Sequence, residues 1–372
     1  MKKVIVVGAG IVGAATAYEL VRIGMKVVLI DEHVDGRATS AAAGIICPWI
    51  TKRRNKAWYE LAKSGAAYYE QLINYLADDG EKEIGYEKVG ALKLHTERER
   101  LDELENIAYE RRETAPQMGE ISILNKEETS EKFPFLNDIY YSLFIEGAAR
   151  VDGRALRKSL IQACLKRGAT YIKGKAQLIM SRSDIDGVKV NGEEIFADMT
   201  VAANGVWMPE LLLPLGLKLS ILAQKGEIIH LQTETVNTSS LPVIMPPNNQ
   251  YLLSFDGGRI VIGATHENRS DFQSKVTAGG VHYILDQALQ IAPLLAGCAI
   301  TEMRVGFRPF TFNHLPVFGT VPLFDRLLIA NGLGASGLTT GPFIGKQLAK
   351  MINGEKPDLP VDDYKVEQIL KS

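Results

Sequence analysis

Met1 and two lysines precede Val4-Ile5-Val6-Val7, a short unbroken apolar run, as expected of a strand buried on both faces. Gly8-Ala9-Gly10-Ile11-Val12-Gly13 follows at once, and a helical pattern then runs to Gly24. Ala17 and Leu20 repeat on the helix face that includes Gly13. A second apolar run, Val27 to Ile30, ends at Asp31, with Glu32 next. Much later the pattern returns: Met199 to Ala203 is strand-like and ends in Asn204-Gly205 before a helix at Val206. Arg326 to Ala330 predicts another strand, followed by a glycine-rich loop and a helix ending near Gly354. Between these returns, Tyr86 to Leu94 and Gln250 to Gly263 predict strands bounded by turn signals such as Asp256-Gly257-Gly258. Residues 97–118 predict a charged, exposed helix.

The strand–glycine–helix unit at the start has a chemical reading. Gly8 permits the tight turn, Gly10 lets the backbone approach a pyrophosphate, and Gly13 lets the helix lie close to the strand. The helix N-terminus would face phosphates with its positive dipole end, and Asp31 would accept hydrogen bonds from an adenosine ribose. NAD and FAD share these groups, so the motif alone does not choose between them. A chain that leaves the nucleotide unit and returns late suits a long cofactor spanning two domains. Gly332-Leu333-Gly334-Ala335-Ser336-Gly337 imitates a second dinucleotide motif, but Pro357 and Pro360 follow its helix and no second strand with an acidic end is present. The expectation is instead that its backbone N–H groups and helix N-terminus face a flavin ring and stabilise the anionic reduced form. With no separate nicotinamide domain, the organic substrate itself should reduce the flavin.

Composition narrows the class. Of 372 residues, 46% are hydrophobic and 23% charged, the balance of an ordinary soluble globular protein. A formal net charge of −2 argues against a nucleic-acid or anionic-membrane partner. No apolar run approaches the roughly 20 residues of an integral membrane segment, and the strand pattern begins too early for a signal peptide. The expected location is cytoplasmic, with peripheral contact to the inner face of a membrane left open. Cys47, Cys164 and Cys298 are odd in number and widely spaced, so they predict neither a disulfide framework nor a metal site. The six histidines, His33, His95, His230, His266, His282 and His314, show no metal-ligand spacing, and only His314 is weighed as lining a site.

An ordered set of motifs resembles the D-amino acid oxidase superfamily of FAD enzymes, closest to its glycine oxidase and D-amino acid dehydrogenase branch. The set comprises the Gly8–Asp31 unit, Thr39-Ser40-Ala41-Ala42-Ala43-Gly44, Arg150-Val151-Asp152-Gly153 and Val201-Ala202-Ala203-Asn204-Gly205. It continues with Gln224-Lys225-Gly226-Glu227, Ile262-Gly263-Ala264-Thr265, Gly306-Phe307-Arg308-Pro309 and Leu315-Pro316-Val317-Phe318-Gly319, and closes on the Gly332–Gly341 loop. The fold implied is α/β: a Rossmann-type FAD-binding domain interleaved with a smaller α+β substrate domain built on an antiparallel sheet. We place the first at 1–80, 146–219 and 301–372 and the second at 81–145 and 220–300. The implied cofactor is non-covalent FAD, since the segment after Arg308 lacks the cysteine to which the sarcosine-oxidase branch attaches its flavin. Implied contacts are Gly8, Gly10, Ile11, Val12, Gly13, Asp31 and Glu32; Thr39, Ser40, Ala42, Ala43 and Gly44; Ala203, Asn204, Gly205 and Trp207; and Gly332, Gly334, Ala335, Ser336, Gly337, Leu338 and Thr339.

The resemblance also implies the chemistry: oxidation of a small amino acid or secondary amine to the imino or 2-oxo acid by hydride transfer from the α carbon to flavin N5. Arg308 would pair with the substrate carboxylate, where a planar guanidinium holds it bidentately; the competing reading is an arginine paired with an internal carboxylate. Tyr251 would contact the same carboxylate, or is an aromatic facing the sheet core. No side-chain base is needed, so catalysis is positioning and electrostatics. Two departures stand out: Asn313 replaces an aspartate common after the Arg-Pro motif, and Ala335 stands where glycine oxidases carry a further carboxylate-binding arginine, which argues against glycine itself. Lys52-Arg53-Arg54-Asn55-Lys56 is either a solvated loop or a recruiter of acidic substrates, and Cys47 is weighed as a flavin-facing thiol. The alternatives are a 2-hydroxy acid dehydrogenase of the same fold, or a dehydrogenase passing electrons to a quinone or carrier instead of oxygen. Oligomeric state is left open.

Overall fold

The computed structural model describes residues 1–51, 53–181, 184–268 and 271–371. Two sheets organise it. The first is a six-stranded sheet in the order Val317–Val321, Phe324–Asn331, Met199–Ala202, Lys3–Val7, Lys26–Asp31 and Thr170–Lys173. All its pairings are parallel except the edge strand Val317–Val321. Helices Ile11–Arg22, Gly153–Lys166 and Gly337–Asn353 pack together over one face. A three-stranded antiparallel sheet, Gln177–Ser181, Asp184–Val190 and Glu193–Phe196, buries Ile185, Val188 and Val190 against the other face. Val4–Val7 is therefore buried on both sides, which is why it carries no polar residue.

Glycine makes the close approach at the first turn. Gly8 has φ 94°, and a Cβ on Gly13 would stand 1.8 Å from the Gly8 carbonyl oxygen. Gly345 serves the neighbouring helix in the same way, where a Cβ would come within 2.7 Å of the Thr16 backbone nitrogen. The two helices thus lie nearly backbone to backbone.

The second sheet runs Glu267–Asn268, Leu222–Gln232, Arg259–Gly263, Tyr251–Phe255, Val243–Met245, Ala91–His95, Tyr141–Ile145 and Ile121–Leu124, with Ala299–Phe310 also paired along Leu222–Gln232. One face packs Ile228, Leu253 and Val261 toward the first body. The other is covered by helix Ala278–Ile291, through Ile284, Ala288 and Ile291 against Ile229, Ile260 and Ile262. The chain leaves the first sheet, returns for 170–202, leaves again and returns for 317–331. This is the expected Rossmann-type unit interleaved with a second sheet, antiparallel except where Val243–Met245 runs parallel to Ala91–His95.

Local details differ from the sequence expectations for identifiable reasons. Tyr86–Leu94 is not one strand: Tyr86–Lys88 pairs with Ala149–Val151, and only Ala91–His95 joins the large sheet. Between them Gly90 turns at φ 76°, against the Phe144 ring. The helix expected over 97–118 spans Glu99–Arg112 and stops ahead of Pro116; Leu101, Leu104 and Ala108 bury one of its faces. The helix expected at Val206 begins as a 3-10 turn, Gly205–Trp207, before Met208–Leu212. The boundary drawn between 300 and 301 falls inside strand Ala299–Phe310, which belongs to the antiparallel sheet throughout. Among the described residues no helix is long and apolar enough to cross a membrane.

Candidate active site

A cavity of about 880 Å³ runs from the carboxyl ends of the parallel strands to the inner face of the antiparallel sheet. At its nucleotide end the wall includes Gly8, Gly10, Ile11, Val12, Asp31 and Glu32. Helix Ile11–Arg22 begins here, and its capping residue, Gly10, brings no side chain between helix and cavity. A Cβ on Gly10 would meet nothing closer than Thr39 Oγ1 at 3.5 Å, so this face of the turn is open to a ligand. Thr39 Oγ1 accepts from the Ile11 N–H at 2.9 Å and ties the second loop to the first turn.

Asp31 is the hub of this end. Its Oδ1 accepts from the Ala9 N–H at 2.9 Å, and Oδ2 receives Arg37 at 2.5 Å and Arg157 at 3.2 Å. Arg157 also donates to the Ala9 carbonyl. Asn204 Oδ1 is buried and without a partner. A helix N-terminus, an acidic strand end and an orphaned amide oxygen on one wall fit the pyrophosphate and adenosine of a dinucleotide.

Gly205 and Trp207 also line the wall, as do Ala42, Ala43 and Gly44 and, beyond them, Gly334, Ala335, Gly337, Leu338 and Thr339. Helix Gly337–Asn353 starts here, and its capping residue Ser336 makes no side-chain cap. Four expected contacts lie behind the wall. Gly13 sits against Gly8, Gly332 packs on Thr311, the Ser40 carbonyl accepts from Arg304, and Ser336 Oγ accepts from Trp58 Nε1 at 3.0 Å.

Arg308 and Tyr251 meet at the opposite end. Arg308 stands opposite Gln224 in register, and its guanidinium lies over Gly226, where a Cβ would come within 2.7 Å of Nη2. Nη1 donates to Gln224 Oε1 at 3.2 Å, the Thr265 carbonyl at 3.3 Å and His266 Nδ1 at 3.1 Å. Among the described residues it meets no carboxylate, so the internal ion pair weighed for it is absent there. Tyr251 pairs with Gly263, whose missing side chain leaves room for the phenol oxygen. Burial raises the Tyr251 hydroxyl above its ordinary range and the facing Arg308 offsets part of that, so it stays a hydrogen-bond donor. Burial and Arg308 together hold His266 below the ordinary histidine range, against the opposing Asn249 carbonyl.

Sequence reasoning gave no site role to His266, Gly226, Arg37 or Lys93. Two of them carried a usable signal: Gly226 lies in the Gln-Lys-Gly-Glu motif, and His266 directly follows Gly263-Ala264-Thr265. His314, weighed as a lining residue, packs edge-on against Phe310 outside the wall. Of the basic run, Lys52 lies outside the described residues. Arg53 stacks over Trp58 at 4.4 Å and donates to the His314 carbonyl, also outside the wall. Cys47 is buried off the wall, and burial pushes its thiol up to about 12.

Comparison with known proteins agrees with this geometry. The model of the DAO family, described as FAD dependent oxidoreductase, matches residues 3–351. An uncharacterized oxidoreductase of Bacillus subtilis (strain 168), YurR, is 51% identical over 365 residues, covering 98% of each chain. The crystal structure of an iminodiacetate oxidase from Chelativorans sp. BNC1 superimposes with a TM-score of 0.94 at 42% identity, over 97% of this chain and 98% of that one. A glycine oxidase of Pseudomonas aeruginosa is 29% identical over 372 residues, covering 98% of each chain.

Proposed function

This chain belongs to the DAO family of FAD-dependent oxidoreductases, and we propose that it oxidises a small carboxylated amine, an amino acid or secondary amine, to the imino acid and thence the 2-oxo acid. The observation that carries the reading is Arg308: a guanidinium in a cavity wall, cradled over Gly226 by neutral acceptors and free of any carboxylate among the described residues. Such a group is built to receive an anion from outside the chain.

The nucleotide end would hold FAD through the helix N-terminus at Gly10, the Asp31–Arg37–Arg157 cluster and Asn204, and the Gly334–Thr339 turn would lie along the isoalloxazine. FAD supplies a two-electron acceptor at N5. No cysteine lines the cavity among the described residues, which supports non-covalent attachment. Arg308 and Tyr251 hold the substrate carboxylate from the sheet side, and this fixes the α carbon between sheet and cofactor. Once the substrate ammonium had given its proton to solvent, the amine lone pair would assist departure of the α hydrogen as hydride, for which bound FAD would supply the two-electron acceptor, and water would hydrolyse the resulting imine. The helix N-terminus at Gly337 would place positive potential beside the bound flavin, favouring its anionic reduced form.

Anaerobic titration of the FAD-loaded protein with D- and L-amino acids, glycine, N-methylated amino acids and 2-hydroxy acids tests the reading. Bleaching by a carboxylated amine is expected. Bleaching by a 2-hydroxy acid alone would replace this function with the alternative oxidation. Admitting air afterwards separates an oxidase from a dehydrogenase that needs a quinone or carrier.

A further inference from the structure

The charges on the cavity wall are segregated. Its carboxylates, Asp31, Glu32 and Glu210, all lie at the nucleotide end. Asp31 is held by Arg37 and Arg157, and Glu210 by Lys175 at 2.5 Å. The sheet end has no carboxylate on its wall but two cations, Arg308 and Lys93. Lys93 is partly buried; burial lowers its ammonium below the ordinary lysine range. Its Nζ donates to the Pro246 carbonyl at 2.8 Å, and among the described residues it meets no carboxylate.

Register places this second cation relative to the first site. Lys93 is opposite Met245, and Ile244 is opposite Leu252 in the next strand, so Met245 lies beside Tyr251. Tyr251 is in turn opposite Gly263. Lys93, Met245 and Tyr251 therefore form one cross-strand row on the face that lines the cavity. Two strand spacings, about 10 Å between backbones, separate Lys93 from Tyr251. A flexible lysine and a tyrosine leaning toward one ligand narrow that gap to the size of a small molecule.

We propose that Lys93 anchors a second carboxylate, so that the substrates are dicarboxylic amines in which an N-linked or side-chain carboxylate reaches Lys93 while the first rests on Arg308 and Tyr251. This rests on the function proposed above and names the substrate class of the same site. A wall carrying two cations and no acid is satisfied by two negative charges, where a monocarboxylate leaves one cation desolvated and unpaired. The same field favours the neutral form of the bound amine, the form that gives up hydride. The Lys52–Lys56 run is not needed: Arg53 lies off the wall.

The test uses the FAD-loaded full chain and matched ligands. Dissociation constants for malonate, succinate and glutarate, against acetate and propionate, are read from the perturbation of the flavin spectrum. N-(carboxymethyl)glycine and N-methylglycine form the turnover pair. The wild type should prefer at least one dicarboxylate about 10- to 100-fold, the worth of one charge-assisted contact. Lys93→Met should collapse that ratio toward one, and Lys93→Arg should keep part of it. A wild type without the preference overturns the proposal without needing any variant to fold. So does a Lys93→Met enzyme that retains the preference, or one whose affinity falls equally for both classes. If amines bleach the flavin but dicarboxylates have no advantage, only this inference fails. If no amine bleaches it while dicarboxylates still bind preferentially, the oxidation fails and the anion site stands.

Discussion

Replacing Arg308 tests the substrate clamp with a magnitude the structure sets. The guanidinium is fixed before substrate arrives by Gln224, Thr265 and His266 and by the space over Gly226. Little entropy is lost when it takes a carboxylate. A bidentate pair makes two charge-assisted hydrogen bonds, each worth about 1.5–3 kcal/mol. Arg308→Ala should then lose about 3–5 kcal/mol of transition-state binding, a fall in kcat/KM of roughly 10²- to 5 × 10³-fold. Because the clamp also aims the α hydrogen, kcat should fall along with the rise in KM. Arg308→Lys should recover only part, since an ammonium is a point charge and cannot form the planar fork. Steady-state kinetics on a carboxylated amine, with FAD content measured on the same preparation, reads both effects. An unchanged kcat/KM would refute the clamp. A loss that merely follows lost FAD would mean Arg308 supports the cofactor instead.

Other positions give independent checks. Asp31→Ala leaves Arg37 and Arg157 facing each other without their shared carboxylate; breaking such a buried cluster costs about 3–5 kcal/mol, and FAD affinity by fluorescence titration should weaken with stability, whereas unaltered affinity would remove Asp31 from the ribose site. Gly13→Val places a Cβ 1.8 Å from the Gly8 carbonyl oxygen, which neither backbone can relieve, so the variant should purify without flavin or not fold at all. His230 is buried with both ring nitrogens unpartnered, and burial plus Arg304 and Arg259 hold it down to about 4. The unfolded chain takes up this proton below about pH 6.5 while the folded one resists it. Stability should therefore fall by ~3 kcal/mol as pH drops from 6.5 toward 4, and urea unfolding of His230→Gln should lack that component.

How much of this was legible in the chain depends on how local each signal is. The first turn was readable because its glycines act within a few residues: Gly13 on Gly8, Gly10 on the open face. The interleaving of the two bodies was readable because Val201–Ala203 and Leu327–Ala330 are apolar runs that only a two-sided sheet explains. Arg308 and Tyr251 were identified through the resemblance, yet their grip was not visible. It depends on Gly226, over which the Arg308 guanidinium lies, and on Gly263, opposite Tyr251, both placed by strand pairings set by tertiary structure. Asp31 reads in sequence as a ribose acceptor, but no local pattern announces that Arg37 and Arg157, six and 126 residues away, converge on it. His266 and Lys93 escaped for the same reason. A lone histidine or a lysine in a strand has no periodic partner, and each gains meaning only from the cavity it faces. The helix over 97–118 was drawn too long because its charge pattern continues past Arg112 while Pro116 ends it.

In the proposed reaction a carboxylated amine gives hydride from its α carbon to FAD bound in this cavity. Anaerobic stopped-flow reduction with the best substrate of the panel, α-protonated against α-deuterated, addresses it directly. The amine should bleach the flavin in a single turnover, and deuterium should slow the bleaching several-fold. If every carboxylated amine leaves the flavin oxidised, or bleaching at saturating amine is indifferent to deuterium at the α carbon, hydride transfer from that carbon is contradicted.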